Sequence, residues 1–83
     1  MGNEPHQKGA KMKYQQGYVR ETGVDWEANP KPLTAKQVTA YLVSKGESEY
    51  YAEGIMRMAQ ACHLHGNENG VVMTPFLRLR VAP

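Results

Sequence analysis

The sequence predicts a small α+β domain made of a helical hairpin and a C-terminal strand, with a further strand near the N-terminus. Three observations carry this reading. Thr34 and Gln37 have the spacing of a capping box, ahead of an apolar helical face at Val38, Tyr41 and Leu42. Tyr51, Ile55, Met58, Ala59 and Cys62 recur at the spacing of one stripe on a second helix. Leu77, Leu79 and Val81 alternate with Arg78 and Arg80, the period of a half-buried strand.

Pro30-Lys31-Pro32 divides the chain into a polar arm, 1–31, and a helix–helix–strand body, 32–83. The first dozen residues have little apolar surface to offset the entropy of ordering, so this end is expected to be flexible. A strand over 14–20 is expected, weakened by Gly17 at its centre. Gly23 and Asn29-Pro30 are turn signals on either side of Trp26. The first helix is expected over 35–45, with Lys45 suiting the negative end of its dipole and Gly46 ending it. Ser48 caps a second helix over 49–64, which stops near His65-Gly66. Gly54 in its middle costs about 1 kcal/mol against Ala, which points to another backbone passing close by. Asn67-Glu68-Asn69-Gly70 then reads as a turn, and Pro75 marks the start or edge of the last strand, over 76–81.

Eighty-three residues allow one domain with a thin core. A lone Cys62 excludes an internal disulfide framework and any thiolate-rich zinc site within one chain. No apolar run is long enough to span a bilayer and no signal-peptide stretch is present, so a cytoplasmic protein without membrane attachment is expected. The net charge of +2 is spread along the chain rather than clustered, and a pI near 8.8 permits nucleic acid without demanding it.

Catalytic chemistry finds no support. Cys62, His63 and His65 are too close along one helix for all three to converge on an ion, and no second pair of ligands exists, so no metal and no cofactor are expected. Neighbouring helical residues do not face each other as a nucleophile and its base must. No phosphate-cradling glycine loop, nucleophile elbow or His-Glu-x-x-His is present, so the protein is not expected to be an enzyme.

The segment 38–58 resembles the helix-turn-helix pattern in outline, with two capped helices and a glycine at the connection. It departs from that pattern at Leu42, where a small residue is usual. The N-terminal half of its second helix carries Glu49 and Glu53 where DNA phosphates would come close. Two function classes follow. The first is a small non-catalytic regulatory protein that binds and modulates another protein, as an accessory protein of a virus or mobile element aimed at a host machine would. Its candidate partner-binding residues are Tyr14, Tyr18, Trp26, Arg78 and Arg80, aromatic and cationic groups of the kind enriched at interface hot spots. The second is a DNA-binding transcriptional regulator that uses the pair 38–58, with Arg57, Arg78, Arg80 and the basic arm on phosphates.

Overall fold

In the computed structural model, which describes residues 12–83, two helices cover one face of a five-strand antiparallel sheet. The strands are β1 (Lys13–Arg20), β2 (Gly23–Asp25), β3 (Leu33–Thr34), β4 (Val71–Thr74) and β5 (Leu77–Val81). The helices are α1 (Ala35–Ser44) and α2 (Glu49–Leu64). The sheet order is β2-β1-β5-β4, and β3 pairs with the start of β1 on the side away from β5. The expected flexible N-terminus lies outside the described residues, apart from Met12.

Both helices begin where their side chains satisfy the free backbone donors. The Gln37 amide donates to Thr34 Oγ1, and the Thr34 amide donates to Gln37 Oε1, so the capping box is complete. Ser48 Oγ accepts from the Tyr51 amide at the start of α2. Between the helices, Leu42 O accepts from the amides of Lys45 and Glu47, and Gly46 adopts φ +96°.

The division at Pro30–Pro32 does not separate an arm from a body. β1 is a central strand that pairs with β5 along most of its length, so residues 13–20 belong to the heart of the fold. Its inward residues Tyr14 and Gln16 join Val71, Met73, Leu77 and Leu79 beneath the helices. Buried glutamines hide this strand from any hydrophobic pattern. Gln16 is satisfied by Met73 Sδ and Asn29 Nδ2, and Gln15 by Trp26 O and Arg80.

β4 stands where only a turn was expected to precede the last strand. Gly70, at φ +70°, turns the chain into Val71–Thr74, and Pro75-Phe76 forms the connection to β5. The buried stripe of α2 is also rotated from the expected one. Ala52, Ile55, Met56 and Ala59 are buried, whereas Tyr51 and Met58 are exposed. The two alanines, fully buried, allow a close approach that larger residues would prevent, and apolar size alone therefore mislocated the inner face.

Gly54 corrects a further expectation, since no neighbouring backbone approaches it: a Cβ there would meet nothing within 4 Å. Gly54→Ala is expected to stabilise the protein by about 0.5–1 kcal/mol, by reducing the freedom of the unfolded chain. A urea denaturation midpoint that stays put or falls would contradict this.

Candidate functional site

On the sheet face away from the helices, Trp26 lies across three strands. The residue opens a single 3-10 turn, Trp26–Ala28, whose amides at Glu27 and Ala28 both donate to Asp25 Oδ1. A Cβ on Gly17 would stand 2.6 Å from Trp26 Cε3, and one on Gly70 would stand 3.2 Å from Trp26 Cη2. The ring thus rests over β1 and over the entry to β4, crossing β5 between them. The Arg80 guanidinium sits 4.3 Å from the ring centroid, within cation–π range. Gln15 ties the arrangement together. Its Oε1 accepts from Arg80 Nε at 3.0 Å and Nη2 at 2.8 Å, while its Nε2 donates to Trp26 O.

The five residues expected at a partner surface therefore occupy different environments. Tyr14 is only 2% exposed, and its hydroxyl accepts from Gln60 Nε2 in the core, which takes it off any partner surface. Tyr18 is partly exposed near the far end of β1, with Arg20 over its ring. Trp26, Arg78 and Arg80 are half-buried together on the helix-free face. Arg57, considered for phosphate contact, lies 3.9 Å from Glu53 on the exposed side of α2. The basic residues Lys8 and Lys11 of the arm lie outside the described residues.

A second surface is absent from the sequence expectation. A groove of about 490 Å³ opens beside the outer edge of β4, the last strand in the sheet order. Tyr41, Lys45 and Tyr51 of the helical hairpin form one wall, and Val72, Pro75 and Phe76 form the other. Phe76 is 73% exposed at the tip of the β4–β5 hairpin, and Val72 and Tyr51 are also open to solvent. Nothing in the turn requires an aromatic ring there, since the Phe76 amide already donates to Thr74 Oγ1. The sequence does place Pro75-Phe76 at a turn, but the facing wall comes from residues distant along the chain. Only the fold brings the walls together.

Cys62 is half-buried at the end of α2, its thiol directed at the Gly70 carbonyl oxygen. Among the described residues, no three His, Cys, Asp or Glu side chains converge on one point, and no helix is long and apolar enough to cross a membrane. The chain matches no protein-family model, no curated protein and no solved structure.

Proposed function

We propose that the protein is a non-catalytic regulatory module that docks onto another protein through the groove beside β4. The exposed Phe76, which lines that groove together with Tyr41 and Tyr51, is the observation that carries this reading. Aromatic residues at the centre of a patch with a charged rim have the anatomy of a protein interface, and here Lys45 and Glu47 supply the rim. Recognition works by inserting side chains rather than by adding a strand. β4 is four residues long, its register with β5 shifts between Val72 and Thr74, and Pro75 follows it; all three features discourage further pairing. An accessory protein of a virus or mobile element acting on a host machine would have this economy of parts.

The helix-turn-helix alternative has less to support it. α2 turns its apolar side to the sheet, and its exposed N-terminal turns present Glu49, Tyr50 and Glu53 rather than donors for base edges.

Photo-crosslinking in the native cell tests the docking reading. A benzoylphenylalanine at position 76 is expected to trap one discrete protein, and the same group at the exposed Lys31, ahead of β3 at the other end of β1 and on its side away from β5, is expected to trap none. Against the partner so identified, Phe76→Ala is expected to weaken affinity roughly 10- to 100-fold, matching the ~1.4–2.8 kcal/mol lost when a Phe is no longer buried. Unchanged affinity in Phe76→Ala would remove the groove from the interface.

A further inference from the structure

The helix-free face carries Arg78 and Arg80, and among the described residues neither makes an ion pair. Among the described residues the ion pairs are Arg20–Asp25 and Glu53–Arg57, which leaves Arg78 and Arg80 without a carboxylate partner. Both lie on one face of β5, where residues two apart stand about 7 Å from each other. Arg80 is held in place by the Trp26 ring and Gln15 Oε1, so its fork is fixed before any ligand arrives. Arg78 Nε is buried without a hydrogen-bond partner, an unfavourable state that outward movement of the guanidinium would relieve.

We infer that this face receives an extended acidic segment of the partner protein, with carboxylates at alternate positions along it. The inference rests on the reading of the chain as a protein-binding module and names the chemistry of what it binds. An extended peptide repeats its side chains on one face at the same spacing as Arg78 and Arg80, so two carboxylates two residues apart can engage both forks at once. The face continues into the groove, because Val72 pairs with Arg78 across β4 and β5 and also lines the groove. A segment lying over the arginines is thereby led towards Phe76. A phosphodiester chain fits less well. Two cations are few for a polymer charged at every residue.

Trp26 is the only tryptophan in the chain, and its fluorescence reports on the cation above it. The full-length protein is titrated with a synthetic peptide alternating Glu and Thr. A control peptide has the same composition arranged as Glu-Glu-Thr-Thr repeats, in which no two Glu lie two apart. The alternating peptide is expected to give a saturable change that weakens with salt, and the control to bind about tenfold more weakly, as for loss of one charge-assisted pair. Arg78→Gln is expected to cause a similar loss, with circular dichroism confirming the fold and an unchanged Trp26 emission in the free protein confirming that the Trp26–Arg80–Gln15 cluster is retained. Equal binding of the two peptides, or binding of neither, would overturn the inference, as would tighter binding of single-stranded oligothymidylate. Phe76→Ala is expected to leave the peptide response unchanged. A failed peptide titration beside a Phe76-dependent crosslink would therefore reject this site and leave the groove reading in place.

Discussion

Removing residues 1–31 is expected to abolish cooperative folding rather than to leave a helical body that has lost only its activity. A domain of this size has a total stability of about 4–12 kcal/mol. The deletion takes out β1, the strand that pairs with β5 on one side and with β2 and β3 on the other. With it goes Tyr14, a buried aromatic whose loss alone costs about 3–5 kcal/mol. Trp26 leaves as well, uncovering the outer side of β5. What remains is a four-residue strand paired with a five-residue strand under two helices, with the edge of β5 that paired with β1 left open. Far-ultraviolet circular dichroism with urea denaturation checks this. The truncated chain is expected to show reduced helicity and no sigmoidal transition. A transition at the full-length midpoint would show that β1 contributes nothing to the core.

That expectation reverses the reading of residues 1–31 as a separable arm, and the reason lies in particular side chains. Helices announce themselves locally: Thr34, Gln37 and Ser48 satisfy backbone donors three residues away, and their effect is visible in any short window of sequence. β1 has no such signal. Its buried positions include Gln15, Gln16 and Gly17, and the groups that satisfy them lie far off, with Met73 and Arg80 more than fifty residues along the chain. A polar residue is inexpensive to bury only when its partner is in place, and the partner is not legible from the strand itself. The site divides the same way. Arg78 and Arg80 share a face because strands alternate, which the sequence displays. The groove depends on α1, α2 and the β4–β5 hairpin meeting, and no spacing along the chain encodes that meeting. Phe76 can be read as a residue near a turn, but its exposure in a groove that Tyr51 also lines is a property of the assembled fold alone.

The two glycines beneath Trp26 are expected to respond differently when the ring is removed, and this separates the ring's role from that of the backbone. A Cβ on Gly17 would stand 2.5 Å from Val24 Cγ1 and 2.6 Å from Trp26 Cε3, so the obstacles are side chains. Gly17→Ala must lift the ring, disturbing the Arg80 stack and the hydrogen bond from Gln15 to Trp26 O, at a cost of about 1–3 kcal/mol. In a Trp26→Ala background the two ring contacts are gone and only Val24 Cγ1 remains in the way. Gly17→Ala should then cost about 1 kcal/mol less, a coupling expected of residues in direct contact. Gly70 differs because a Cβ there would collide with the Leu79 carbonyl oxygen, and its φ of +70° is unfavourable for any side chain. Leu79 belongs to β5, paired on both sides, so its backbone cannot retreat. Gly70→Ala is accordingly expected to cost about 3 kcal/mol or more, and to cost the same within about 0.5 kcal/mol whether or not Trp26 is present. Urea midpoints followed by circular dichroism for the three single variants and the two double variants complete both cycles. Additive losses for Gly17→Ala and Trp26→Ala would mean that the ring does not rest on β1. A large coupling at Gly70 would mean that the ring, rather than the Leu79 backbone, is what forbids a side chain at the entry to β4.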